Sequence, residues 1–335
     1  MTLPELKPLA LTIGDPAGCG PIITRMAWQS LRNSSELAFF VVGSGELFES
    51  TGPVQCIQEP ADTISVFADA LPVIEVENAT TLPVAGQPDV AFAPIIIQAI
   101  ETAVTYVKNG DAGAVVTNPI NKALLYGSGF AHPGHTEFLA KLCAAEDTPV
   151  PRPVMMLVGG GLRVALATIH LPLADAIKTL SIDLLTNIAK ITHNALQQDF
   201  GLPDPRLAFS GLNPHAGEDG TIGREEIDII NPAARILRHE GIDISDARSA
   251  DTLFAETLNG AFDAVIAMTH DQALIPVKTL DFWGGVNVTL GLPIIRTSPD
   301  HGTAYQAAAE GTCRPDSLIA AIRLAAKNVR WRTHG

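Results

Sequence analysis

Basic residues are scarce in this chain: 22 lysines and arginines stand against 36 aspartates and glutamates, a formal charge of −14 over 335 residues. That balance argues against a nucleic-acid partner, because binding to phosphodiester chains depends on clustered cations that release counterions. Cysteine is also sparse. Cys19, Cys56, Cys143 and Cys313 are widely scattered without a CxxC pair, so reduced thiols in a cytoplasmic protein are expected rather than a disulfide framework. Aromatic residues make up only 5%. No uncharged apolar run reaches the roughly 18 residues of a membrane span, and the first residues lack the basic and apolar regions of a secretory leader. A GxGxxG fingerprint and a Walker loop are both missing. Any nucleotide must therefore bind in some other way.

What remains is a hydrophobic, charge-poor chain (47% hydrophobic, 17% charged) that is long enough for one large domain or two. Strand-like and helical patterns alternate along it. Leu9 to Ile13 reads as a strand, followed by the turn Gly14-Asp-Pro-Ala-Gly-Cys-Gly20 and a helix from about Pro21. Further strands are expected at 38–42 and 112–117, and helices at 90–108, 183–200, 227–238 and 316–330. This alternation predicts an α/β fold with a largely parallel sheet covered by helices on both faces. The proline-rich stretch 51–90 reads as a loop-rich excursion or small antiparallel strands.

Three apolar runs of strand length each lead to a histidine: Leu162 to His170, Arg206 to His215 and Phe262 to His270. Ligands in α/β proteins collect at the carboxyl ends of parallel strands. Three imidazoles delivered to one such edge would form an open metal site, since their spacings are far too long for a structural zinc knot. Asp271 follows His270 and is placed to orient an imidazole.

A second polar cluster suits an anion. Asn118 and Lys122 follow a predicted strand, and His132-Pro-Gly-His135-Thr136-Glu137 precedes a helical stretch. Arg296 closes another apolar run and could clamp a phosphate or carboxylate with its forked guanidinium. The turn at residues 14–20 reads equally well as a phosphate cradle and as a tight strand-to-helix connection.

Several ordered blocks together resemble the 4-hydroxythreonine-4-phosphate dehydrogenase family: Gly14-Asp-Pro-Ala-Gly18, Gly134-His-Thr-Glu137, Ala165 to Pro172, Gly211-Leu-Asn-Pro-His-Ala-Gly217, Gly223-Arg-Glu-Glu-Ile-Asp228, His270-Asp-Gln272, Val286 to Pro293, Arg296-Thr-Ser298 and Asp300-His-Gly-Thr303. The chain departs from the family pattern at Ile22, Thr269 and Asp281 to Gly284. The resemblance implies two α/β/α domains around a cleft, as in isocitrate and isopropylmalate dehydrogenases. A first domain is expected at 1–130 with 297–335, and a second, carrying the metal-site histidines, at 131–296. It also implies metal ligands His170, His215 and His270, and substrate contacts His135, Thr136, Lys278, Asn287 and Arg296. Cofactor contacts fall on Asp300, His301, Gly302 and Thr303.

The implied reaction is the NAD-dependent oxidation of 4-phosphohydroxy-L-threonine in pyridoxal phosphate biosynthesis. Decarboxylation of the resulting β-keto acid would give 3-amino-2-oxopropyl phosphate, with Lys278 stabilising the enolate. The family also implies a divalent ion (zinc first, with magnesium or cobalt as alternatives) and a homodimer whose active site draws on both subunits. Two other readings are an erythronate or threonate 4-phosphate dehydrogenase of a sister group, and a zinc hydrolase or aldolase that works without NAD.

Overall fold

The computed structural model describes residues 7–76, 82–127, 134–145 and 148–334. Among them run twelve strands: β1 (Leu9–Thr12), β2 (Phe39–Gly43), β3 (Val54–Cys56), β4 (Leu71–Glu75), β5 (Val115–Thr117), β6 (Val154–Gly159), β7 (Leu162–Leu166), β8 (Leu207–Ser210), β9 (Ile244–Arg248), β10 (Ala264–Ala267), β11 (Val286–Leu290) and β12 (Arg296–Pro299). The chain divides into two compact units, Met1–Pro153 with Leu292–Thr333, and Val154–Gly291 with the terminal His334–Gly335.

In the first unit the strands run in the order β3-β4-β2-β1-β5-β12, and every pairing among them is parallel. Residues 54–56 and 71–75 are therefore parallel members of this sheet, in place of the loop or antiparallel strands expected for that stretch. β1, β2 and β5 are buried along their whole length. This is why they read as continuous apolar runs without alternation. The helix Ala93–Asn109 turns Ile96, Ile100, Ala103 and Val104 inward on helical spacing and packs on β1 and β2. It stops where Gly110 takes a left-handed conformation (φ 81°) that accepts glycine without penalty. The segment Val90–Asn109 is long and apolar enough to cross a membrane by length and composition, and its packing on the sheet accounts for that apolarity.

The second unit is mixed. Its strands run β11-β6-β7-β10-β8-β9. β11, β6 and β7 are antiparallel neighbours, whereas β7, β10, β8 and β9 are parallel. β6 and β7 form a hairpin turned at Gly160 and Gly161, both with positive φ, as a two-residue turn matched to strand twist requires. Leu157, Leu162, Val164, Leu166, Val265 and Val277 belong to its core, which is sealed by the helices Ala250–Leu258 and His270–Leu280.

Both expected domain limits move. The helix His135–Cys143 packs against Ala93–Asn109, with Lys108 Nζ donating to the Leu142 carbonyl at 2.8 Å. Residues 134–153 thus join the first unit, where the sequence suggested a break at 130. At the other end Arg296 opens β12 and lies opposite Val115 of β5. It belongs to the first unit, and it begins its strand where the apolar run before it suggested a strand end.

Candidate functional site

Each unit gathers polar groups at the carboxyl edge of its parallel strands. In the first unit that edge carries the turn after β1, the segment after β5 and the loop after β12. Gly14 makes the first turn possible. Its φ is 73°, and a Cβ there would stand 2.5 Å from the Cβ of Asn118. Asn118 in turn donates from Nδ2 to the Thr12 carbonyl (3.0 Å) and to Thr24 Oγ1 (2.7 Å). Its Oδ1 is buried without a hydrogen-bond partner.

The loop 300–303 is pinned to the same turn. Cys19 N–H donates to the Thr303 carbonyl (2.8 Å), Asp300 N–H donates to Ser317 Oγ (3.0 Å), and Cys19 Sγ lies 3.9 Å from His301 Nδ1. Tyr305 donates its hydroxyl to the fully buried Asp15 carboxylate. Burial and that bond push the phenol up to about 12. Burial likewise pushes the Cys19 thiol up to about 12, so it stays protonated and unreactive. Beside Gly302, the position a side chain would take is open space. His301 and Gly302 are thus exposed on a fixed backbone. Nothing in the sequence singled out the Asp15–Tyr305 bond, because neither residue sits in a recognisable spacing.

Arg296 is almost fully buried and donates from Nη2 to Thr117 Oγ1 at 2.6 Å. Burial lowers its pKa to about 10, which still leaves it charged at neutral pH. His135 opens the helix 135–143, and its Nε2 is buried without a hydrogen-bond partner. Burial first, then the charges of Arg296 and Lys122, hold its pKa well below 6.5. A neutral imidazole, a desolvated guanidinium and Lys122 thus converge, with Thr136 on the first helical turn. Such a set suits a phosphate, since the Arg296 guanidinium is already stripped of water and fixed by Thr117, and Lys122 adds a second, exposed cation. His132 lies outside the described residues.

In the second unit β7, β10 and β8 are adjacent and parallel, so the loops bearing His170, His270 and His215 leave the same edge. Cross-links tie the strand ends together. Thr168 Oγ1 donates to the Met268 carbonyl (2.7 Å), and Gln272 joins Met268 N–H (2.8 Å) to the Gly211 carbonyl (2.7 Å). The rings of His170 and His270 stand 5.4 Å apart between centroids. Two imidazoles on one zinc, at about 2.0–2.1 Å per bond, place their ring centres about 5 Å apart, so this pair fits a shared divalent ion. Asp271 Oδ1 lies 2.9 Å from His270 Nδ1, which frees Nε2 for a ligand role. His215 is exposed on its own loop and is not gathered with them. Among the described residues no set of three His, Cys, Asp or Glu side chains is positioned to hold a metal. His170 (φ 40°) and His215 (φ 51°) both have the left-handed backbone that is unfavourable for any residue with a side chain.

Lys278 lies on the helix His270–Leu280, and its Nζ sits 5.7 Å above the Phe282 ring. Asn287, on β11, has a buried Oδ1 without a hydrogen-bond partner. The predicted site residues thus divide between the units. His135, Thr136, Arg296 and the 300–303 loop belong to the first, and His170, His215, His270, Lys278 and Asn287 to the second.

These features define an α/β protein whose two units each present a polar carboxyl edge. Residues 35–325 match the family described as pyridoxal phosphate biosynthetic protein PdxA. A 4-hydroxythreonine-4-phosphate dehydrogenase from Caulobacter vibrioides is 51% identical over 96% of this chain and 97% of its own length. The solved structure of a 4-hydroxythreonine-4-phosphate dehydrogenase from Klebsiella pneumoniae, 33% identical, superposes with a TM-score of 0.84 over 96% of this chain and 99% of that one. A terephthalate 1,2-cis-dihydrodiol dehydrogenase from Burkholderia xenovorans LB400, 28% identical, gives 0.66 over 96% and 98%. The chain belongs to the PdxA family.

Proposed function

We propose that the protein is an NAD- and divalent-metal-dependent dehydrogenase that oxidises 4-phosphohydroxy-L-threonine and releases CO₂ to leave 3-amino-2-oxopropyl phosphate. The observation that carries this reading is the 51% identity, over nearly the full length of both chains, to an enzyme named for that substrate. At the first edge the buried Arg296 beside His135 supports it, and at the second the spacing of the His170 and His270 rings does. Arg296, His135 and Thr136 hold and orient the phosphate. His135, neutral in the free site, offers a ring nitrogen as a hydrogen-bonding group. Lys278 supplies the cation that meets negative charge on the substrate as CO₂ leaves, and Asn287 offers its buried Oδ1 to a substrate donor such as the amino group. His170, His215 and His270 would hold the ion, zinc before magnesium or cobalt, and the 300–303 loop would carry NAD. Bound there, the ion would supply Lewis acidity toward the substrate hydroxyl and NAD would supply the hydride acceptor.

A homodimer with a shared active site accompanies this reading. Ile275, Leu280, Phe282 and Trp283, on and just after the helix that begins with His270, are exposed apolar side chains of the kind subunit contacts cover. The four free cysteines suit a reducing cytoplasm.

A chain 28% identical is named a dehydrogenase of a different substrate, so the scaffold alone does not select one. The deciding assay follows absorbance at the NADH wavelength with phosphohydroxythreonine or erythronate 4-phosphate, with and without chelator. NADH from phosphohydroxythreonine, lost with chelator, is expected. NADH from erythronate 4-phosphate alone would assign the sister activity. Metal-dependent turnover without NAD would mark a hydrolase or aldolase, and a metal-loaded protein that makes no NADH from either substrate would overturn the proposal.

A further inference from the structure

The loop that carries His215 is held by a carboxylate that no role has yet claimed. Glu226 is 2% exposed. Its Oε1 accepts from the backbone N–H groups of Leu212 (2.8 Å) and Asn213 (2.7 Å), and its Oε2 accepts from Asn213 Nδ2 (2.9 Å). The same amide also donates to Glu225 Oε2 at 2.7 Å. Directly after these residues the backbone turns left-handed for five positions, His215, Ala216, Gly217, Glu218 and Asp219, with φ from 43° to 80°.

Four of the five carry a Cβ that disfavours this conformation, so the turn persists only where its surroundings determine it. Glu226 and the Gly223 carbonyl are the groups packed against it. A Cβ on Gly217 would stand 2.7 Å from Glu226 Oε2, so the carboxylate lies directly against the turn and leaves room there only for glycine. Glu226 also opens a π-helical turn over Glu226–Ile230, a local widening of the helix that recurs at functional sites.

We infer that Glu226 is the positioning residue of His215: its buried carboxylate grips the entry to the left-handed turn and so decides where the imidazole is presented. The inference rests on the reading of His215 as a metal ligand, and it assigns Glu226 no contact with substrate.

The test titrates Zn2+ into metal-free protein against a chromophoric chelator, for wild type, Glu226→Gln, Asn213→Ser and His215→Ala. Thermal unfolding and NAD affinity are measured alongside. Residues that orient metal ligands contribute about 10–100-fold to affinity. The expected result is a loss of about that size in Glu226→Gln and a smaller loss in Asn213→Ser, with NAD affinity unchanged. The visible absorption of bound Co2+ should also change shape in Glu226→Gln, which a general loss of stability does not produce. Wild-type zinc affinity in both loop variants, with His215→Ala weakened, would overturn the inference. Wild-type affinity in His215→Ala as well would instead overturn the ligand reading on which it stands. Should Glu226→Gln fail to fold, Asn213→Ser decides, because it removes only the side-chain bonds at the half-buried end of the loop.

Discussion

The two carboxyl edges solve opposite problems. In the first unit, charge is taken out of water and fixed by side chains: Arg296 is buried against Thr117, and His135 is kept neutral beside it. In the second, the histidines stay partly exposed and are set by backbone, with positive φ at His170 and His215 and a carboxylate beside His270. A buried cation binds its anion strongly because desolvation has already been met in folding. Metal ligands need less burial than angular accuracy, which local backbone geometry supplies. The difference teaches that the first edge depends on individual charged atoms and the second on the shapes of its loops.

Removing charge at the first edge should have the largest effect. Arg296→Ala is expected to lower kcat/KM for the phosphorylated substrate by roughly 10²-fold, about 3 kcal/mol, within the range for truncating one partner of a buried charged pair. A loss of less than fivefold in steady-state assays would show that the phosphate does not rest on Arg296. At the second edge Asp271→Ala should weaken zinc about tenfold, the low end of the range, because the Asp271 side chain is 83% exposed. Competition with a chelator reads this, and an unchanged affinity would mean that the His270 ring is oriented by its backbone alone.

The neutral His135 gives the first edge a pH signature of its own. Its native pKa lies below the unfolded value of about 6.5, so between these two values the unfolded chain binds a proton that the native chain does not. Stability therefore falls as pH drops below about 6.5, by at most about 1.4 kcal/mol per pH unit from this residue. His135→Gln should flatten that part of the stability curve in denaturant titrations between pH 5 and 7, and a slope equal to wild type would contradict the buried neutral state. The smallest effect is expected for Tyr305→Phe, which removes the bond to Asp15. A KM for NAD raised a few-fold, about 1 kcal/mol, with kcat for saturating NAD little changed, would tie that bond to the cofactor loop. No change in either constant would leave it a purely structural link.

Much of this arrangement was legible in the residues. The three histidines were recognisable because each follows a β-branched apolar run, and parallel strands buried on both faces leave that mark. Their common edge follows from the parallel order of β7, β10 and β8. Arg296 could be picked out as an anion clamp from its type and position, but it opens β12 instead of ending a strand: the apolar run before it holds β11 and then the stretch 291–295, whose Leu292, Ile294 and Ile295 are buried without being a strand. The parallel strands at 54–56 and 71–75 were missed, since three to five residues among prolines carry too little periodicity. Glu226 was hidden as one of two adjacent glutamates. Only its tertiary surroundings, which bury Glu226 against the His215 loop and leave Glu225 partly exposed, tell them apart.

Composition, apolar runs and ordered motifs by themselves determined the α/β class, the family and the set of residue types brought to the chemistry, because these depend on local patterning and on identity along the chain. Only the tertiary structure decided which unit owns Arg296 and the 134–153 segment, that His135 is neutral, and that Glu226 lies beneath the His215 loop. Those properties arise from burial and from contacts between residues distant in sequence, which set desolvation and backbone strain and leave no periodic trace in the chain itself.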